Sequence, residues 1–119
     1  MKLVAASFLI VSVILMGLAA WAATDTSVTG ELVDTKCFLS MGAKGEGHKE
    51  CAAKCAQDGI PVGVLDDASG KLYVLANASG AFKDHMGHKV TVTGKAYGDV
   101  IVPESATMDG SPIPLGSAQ

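Results

Sequence analysis

The stretch "HKVTVTGKAYGDVIVPESATM", residues 88–108, carries the clearest secondary-structure pattern in the chain. Residues 90–94, VTVTG, alternate apolar or small residues with threonines, and this period of two is typical of a half-buried β-strand. The AYGD tetrapeptide at 96–99 predicts a turn, and VIV at 100–102 predicts a returning strand. Pro103 is expected to end or bulge that strand, because proline has no N–H to donate to a neighbouring strand. The stretch therefore predicts an antiparallel hairpin.

Upstream of this hairpin, the chain contains more β-prone runs. IPVGVLDD at 60–67 and KLYVLA at 71–76 are joined by a polar, glycine-containing turn, which predicts a second hairpin. VTGELVDT at 28–35 predicts a first strand with imperfect alternation, in which Gly30 marks a bulge or bend. NASGAFKDHMG at 77–87 is expected to be a linker with one helical turn.

This order of elements predicts a mostly β fold, a small OB-like antiparallel barrel of five to six strands. HKECAAKCAQ, within 48–57, favours a short helix that stops at Asp58-Gly59, so the barrel carries an inserted, cysteine-bearing helix. A five-stranded open sheet or sandwich is the alternative. We expect one OB-like domain over residues 23–108 and a flexible tail with two prolines over residues 109–119.

The N-terminal residues predict an export signal. Lys2 is followed by a long apolar run, and Ala20-Trp21-Ala22 offers the small-x-small pattern of a signal peptidase site. We place a signal peptide at 1–22, with cleavage after Ala22, which predicts a periplasmic or secreted protein without membrane attachment after cleavage. An uncleaved N-terminal anchor is the alternative.

The remaining 97 residues are enough for one domain with a modest core. They contain eight lysines, no arginine and twelve acidic residues, which gives a net charge of −4 with histidine neutral. An acidic surface without arginine argues against nucleic acid as a partner, because nucleic acid binding requires neutralisation of phosphates. An unknown protein partner is compatible with this composition.

Three short motifs resemble those of a group of small exported bacterial proteins. They are a G-x-x-x-D-x-x-C start, an H-x-x-C-A-x-x-C helix and a closing G-x-x-V-x-V-x-G strand. In this chain they fall on Gly30, Asp34 and Cys37; on His48, Cys51, Ala52 and Cys55; and on Gly87, Val90, Val92 and Gly94. The resemblance implies an OB-like fold and export, and it implies no activity.

All three cysteines lie within "CFLSMGAKGEGHKECAAKC", residues 37–55. His48, Cys51 and Cys55 are separated by three and four residues, so they share one stripe of the predicted helix. Cys37 is expected at the end of the first strand, from where a glycine-rich loop lets it reach that stripe. Three sulfurs and one imidazole form a donor set that suits zinc, and Cu(I) accepts a subset of it.

A disulfide is the main alternative to a metal site. An oxidising compartment favours pairing of Cys37 with Cys51 or Cys55, which would fix the helix to the barrel and leave one free thiol. A bond between Cys51 and Cys55 would distort a regular helix. The chain would then be a structural or protein-interaction module. A thiol-redox accessory protein is a third hypothesis, although no C-x-x-C motif is present.

A weaker second cluster consists of His85, Met86 and His88, whose donors suggest copper in an exported protein. The same residues also read as a turn leading into the last hairpin. Asp34, three residues before Cys37, is expected to cap a turn there rather than to bind a metal. With no recognisable catalytic motif, we expect a binding protein rather than an enzyme.

Overall fold

The structure is a computed structural model that describes residues 22–116. The predicted signal peptide lies outside the described residues except for Ala22, so it stays a prediction. Within residues 22–116, no helix has both the length and the apolar character that crossing a membrane requires.

Strands predominate over helices in the described chain, and the helices are short. In chain order the elements are β1 (Thr24–Asp34), α1 (Thr35–Met41), a 3₁₀ turn (Glu46–His48), α2 (Lys49–Gln57), β2 (Val62–Asp66), β3 (Leu72–Leu75), a 3₁₀ segment (Ser79–His85), β4 (Lys89–Tyr97), β5 (Val100–Met108) and β6 (Ser111–Pro112). Both predicted hairpins, the helical turn and the helix after residue 48 are therefore confirmed.

The strands form one curled sheet that closes on itself. Its order is β3-β2-β1-β4-β5-β6, and β3 also pairs with β5. The pairings along this order are antiparallel, whereas β3 and β5 run parallel where Val74 faces Val100 and Leu75 faces Ile101. This parallel contact closes a five-stranded barrel, and β6 adds an extra strand. The prediction of a small OB-like barrel is confirmed.

The barrel core follows from the alternation in β1 and β4. Val28 of β1 faces Val92 of β4, and both side chains are buried, whereas the neighbouring Thr29 is exposed. Pro103 produces a bulge, as predicted, because the β4–β5 register shifts between Thr93 and Gly94, where Gly94 comes to face Pro103. β5 nevertheless continues past the proline to Met108.

Helix α2 is fixed to the barrel through its alanine face. Ala52 and Ala56 are buried in the same hydrophobic cluster as Phe82 and Met86, which lie in and just after the 3₁₀ segment Ser79–His85. In addition, the Ser79 hydroxyl donates a hydrogen bond to the Ala56 carbonyl oxygen at 2.8 Å. The helix that carries two of the cysteines therefore has a defined position on the barrel.

Cys37 does not lie at the end of a strand, which corrects the prediction. β1 ends at Asp34, and Cys37 is a buried residue of α1. The helix begins there because the Asp34 side chain accepts a hydrogen bond from the Cys37 N–H at 2.8 Å, which is N-cap geometry. It ends at Gly42, which takes the left-handed conformation (φ 68°) that glycine adopts without strain.

The segment after Met108, predicted from the sequence as a flexible tail, contributes a short strand and a core residue. β6 pairs with β5, and the Ile113 N–H donates to the Ala106 carbonyl oxygen at 2.8 Å. The Ile113 side chain is only 4% exposed and belongs to the core. The described part of the predicted tail, residues 109–116, thus contains a short strand and one buried apolar side chain that its two prolines did not suggest.

We expect Gly30→Ala to destabilise the barrel by about 1–3 kcal/mol, the usual cost of overpacking. A Cβ at Gly30 would collide with the backbone carbonyl of Leu65 on the paired strand β2, and backbone cannot move aside easily. Gly80→Ala is the matched control, since a Cβ there meets nothing within 4 Å. Urea unfolding of both variants measures the effect, and equal stability of the two would contradict the close-approach argument.

We expect Ile113→Ala to lower the free energy of unfolding by about 2–5 kcal/mol, because truncating a buried isoleucine leaves a cavity. Val102→Ala, at a position that is 43% exposed on β5, serves as the control and is expected to cost much less. Guanidinium unfolding compares the two. An Ile113→Ala variant as stable as the parent protein would show that this segment contributes nothing to the core.

Candidate metal centre

The three cysteine sulfurs meet between the two α-helices. Cys37 comes from α1, and Cys51 and Cys55 are four residues apart on α2. Their Sγ atoms all lie within 4.8 Å of one another. Their exposure increases from Cys37, which is 8% exposed, through the half-buried Cys55 to the exposed Cys51. The result is a thiol cluster in which Cys37 is buried and Cys51 lies at the surface.

No two of these sulfurs are bonded, and all three cysteines are free. A disulfide requires sulfurs about 2.05 Å apart. The predicted pairing of Cys37 with Cys51 or Cys55 is therefore absent from this structure, although the prediction correctly grouped the three residues.

The carboxylate of Asp34 is fully buried next to the thiol cluster. One of its oxygens accepts the Cys37 N–H, and the other lies 2.9 Å from Nε2 of His48. Burial by itself raises the pKa of Asp34, but the hydrogen bonds from Cys37 and His48 outweigh it and hold that pKa below its usual value. An ionised carboxylate only accepts hydrogen bonds, so His48 carries its hydrogen on Nε2.

His48 does not lie in the thiol cluster, which corrects the predicted set of four ligands. It is the N-cap residue of α2, before the first helical residue, so the helical stripe of Cys51 and Cys55 does not extend to it. Its ring contacts Asp34 instead. Asp34, Cys37 and His48 form a second group whose potential ligand atoms lie within 4.8 Å of one another, and Cys37 belongs to both groups.

The surroundings of the thiols favour their protonated forms. A hydrogen bond to the Asp34 carboxylate and, as the second-largest cause, burial raise the pKa of the Cys37 thiol to about 11. Burial is the largest cause that raises the pKa of the Cys55 thiol, and the negative charge of Asp34 is the second. A metal ion binds the thiolate and not the thiol, so binding at this cluster has to release protons.

The three residues of the weaker predicted cluster, His85, Met86 and His88, lie in different environments. Met86 is a buried core residue, and His88 lies on the surface with Nε2 4.0 Å from a carboxylate oxygen of Glu46. The Nδ1 atom of His85 is buried without a hydrogen-bond partner. Within residues 22–116, no group of three His, Cys, Asp or Glu side chains at metal-binding distance includes His85 or His88.

The described residues therefore contain a Cys/His/Asp cluster that can hold a metal ion. Sequence spacing identified Cys37, Cys51, Cys55 and His48 but assigned Asp34 only a capping role. The capping role is confirmed, and the same carboxylate also holds His48. The contact joins residues 14 positions apart, and the only sequence signal for it was an acidic residue at a strand end before a cysteine.

We expect Asp34→Asn to lower the free energy of unfolding by about 1–3 kcal/mol, because the single carbonyl oxygen of asparagine cannot accept from both the Cys37 N–H and the His48 ring. Asp58→Asn is the matched control, since the Asp58 side chain is exposed and forms a surface ion pair with Lys54. Unfolding is measured in urea with a reductant and a chelator present, so that neither disulfides nor metals contribute. Equal losses in both variants would contradict the role given to Asp34.

Comparisons with protein-family models, with curated proteins and with solved structures found no match to this chain. The resemblance to small exported bacterial proteins therefore stays a prediction, and the functional argument depends on the cluster itself.

Proposed function

We propose that this protein is an exported small binding module that holds one soft metal ion through Cys37, Cys51 and Cys55. One observation carries the proposal: three free sulfurs, contributed by two helices, lie within 4.8 Å of one another. Thiolates are soft ligands that select Cu(I) and zinc over hard cations such as magnesium or calcium.

The anchoring of the two helices supports this proposal, because a binding site needs rigid support. α2 packs on the barrel through Ala52 and Ala56, and α1 is fixed at its start by the Asp34 cap. The sulfurs thus meet before any metal arrives. Little conformational entropy remains to be lost on binding, which favours affinity.

Within the soft metals, the donor geometry favours Cu(I) over zinc. Structural zinc sites are almost always four-coordinate. The natural fourth donor, His48, lies outside the thiol cluster and is hydrogen-bonded to Asp34 at 2.9 Å. Zinc would have to recruit that imidazole or a water molecule, whereas a soft monovalent ion can be held by the three sulfurs alone.

Export is the second half of the proposal, and the N-terminal sequence supports it through Lys2, the apolar run and the Ala20-Trp21-Ala22 motif. A protein matured in this way would meet metal ions in the periplasm or outside the cell. The disulfide-stapled module is less favoured, because none of the three sulfurs is paired in the structure.

The test is a Cu(I) titration of the reduced protein, without oxygen, against a coloured Cu(I) chelator. We expect one Cu(I) per chain. Replacing Cys51 or Cys55 by Ser removes a direct ligand. The affinity of each variant for Cu(I) should therefore fall by more than the roughly 10–100-fold that is typical for loss of a residue that only supports a ligand. The His48→Gln substitution is expected to weaken zinc binding and to leave Cu(I) binding nearly unchanged. Parallel titrations of this variant with zinc and with Cu(I) measure both effects.

The matched control is the double variant His85→Gln and His88→Gln, which removes the histidines of the weaker cluster and leaves every thiol in place. It should bind Cu(I) as tightly as the parent protein. The proposal fails if the reduced parent protein binds no Cu(I), or if the cysteine variants bind it as well as the parent does.

A further inference from the structure

We propose that the same thiol cluster carries out thiol–disulfide exchange, in which Cys51 attacks an external disulfide and Cys37 completes the reaction with a Cys37–Cys51 bond. The inference uses the thiol geometry on which the proposed function also rests, but it requires no metal. It assigns separate roles to three cysteines that the sequence treats alike.

Access to solvent identifies Cys51 as the attacking thiol. Its residue is exposed, whereas Cys55 is half-buried and Cys37 is 8% exposed. Exchange requires the attacking sulfur to reach the disulfide from outside, so its rate depends on this access. A disulfide arriving from solvent therefore meets Cys51 before it can meet either of the other sulfurs.

Helix geometry identifies Cys37 as the second thiol. Cys51 and Cys55 lie four residues apart on the nine-residue helix α2, where a regular backbone holds their Cβ atoms too far apart for a relaxed disulfide. Cys37 lies on a different helix, with its sulfur within 4.8 Å of that of Cys51. The two sulfurs have to approach from within 4.8 Å to about 2.05 Å, and because they lie on different helices, the bond does not have to form within one regular helix.

The reaction balances with one external disulfide, RSSR, as oxidant. The Cys51 sulfur attacks RSSR, the R–S–S–R bond breaks, and one RSH leaves with the proton of Cys51. The Cys37 sulfur then attacks the Cys51 sulfur of the mixed disulfide, and the second RSH leaves with the proton of Cys37. Two protein thiols are oxidised, and one RSSR is reduced to two RSH.

The product couples the two activities of the cluster. Once Cys37 and Cys51 are bonded, only Cys55 keeps a free sulfur, and a single thiol cannot replace a three-sulfur site. Oxidation should therefore abolish binding at the cluster, and reduction should restore it. A bound metal should in turn protect the cysteines from exchange, because its ligands are no longer free to attack.

The experiment exposes the reduced, metal-free protein to oxidised glutathione in the presence of a chelator and identifies the bond by mass spectrometry. Trypsin places each cysteine on its own peptide, because cleavage after the lysines gives the cysteine-containing peptides 37–44, 50–54 and 55–71. We expect the disulfide-linked pair 37–44 with 50–54, a free thiol on 55–71, and no glutathione left on the protein.

Two variants make the test sharper. Cys55→Ser should still form the Cys37–Cys51 bond, because neither sulfur of that bond is removed. Cys51→Ser should react at least about tenfold more slowly, because the accessible thiol is gone. Circular dichroism confirms that both variants are folded. The inference is overturned by a linkage of Cys51 to Cys55, by one of Cys37 to Cys55, or by glutathione that remains on Cys51.

The outcomes also separate this inference from the proposed function. A Cys37–Cys51 bond formed by a protein that, when reduced, binds no Cu(I) supports the exchange activity and contradicts the metal site. If the protein binds one Cu(I) but forms no disulfide with oxidised glutathione, the metal site is supported and the exchange activity is contradicted. If both activities are present, bound Cu(I) should fall from one per chain to none on oxidation.

Discussion

The buried carboxylate of Asp34 connects the barrel to both helices of the thiol cluster. Asp34 is the last residue of β1, it caps α1 by accepting the Cys37 N–H, and its carboxylate is hydrogen-bonded to the ring of His48, which precedes α2. An ionised group without solvent is costly unless it is fully hydrogen-bonded, so these donors must stay in place for the fold to persist. These hydrogen bonds start α1 and hold the N-terminal end of α2 close to the end of β1, which brings the two cysteine-bearing helices together.

The barrel contributes the second fixed point. α2 is held along its alanine face by Phe82 and Met86, which belong to the core that β1 and β4 share. Cys51 and Cys55 directly precede these alanines, so they lie on the adjacent stripe of the helix and are held on the same rigid support. The cluster sits in the connection between β1 and β2, where the fold tolerates an insertion without disturbing strand pairing.

Local patterns were sufficient to predict most of the barrel. The alternation at residues 90–94, the glycine-containing turns and the proline bulge all depend on neighbours in sequence, and the structure has them where they were expected. The grouping of Cys37, Cys51 and Cys55 was also predictable, because two of them share a helix and the third is the only remaining cysteine.

Features that depend on distant contacts were not predictable in this way. His48 was assigned to the thiol stripe by its spacing, but the buried charge of Asp34 holds its ring instead. Cys37 was assigned to a strand end because nothing in its local pattern shows that Asp34 starts a helix there. The order of the segment after Met108 depends on Ile113 entering a core built by other strands.

The two-residue strand β6 also has a consequence for how the molecule meets copies of itself. β5 pairs with β3 only near its start, at Val100 and Ile101, and β6 occupies the same strand near its end, at Thr107 and Met108. Backbone groups that would otherwise offer a template for strand addition are thereby paired within the chain. A chain without residues 109–116 would present that open edge to other molecules. The segment therefore protects against edge-to-edge aggregation through β6, and Ile113, which follows β6, contributes to the core.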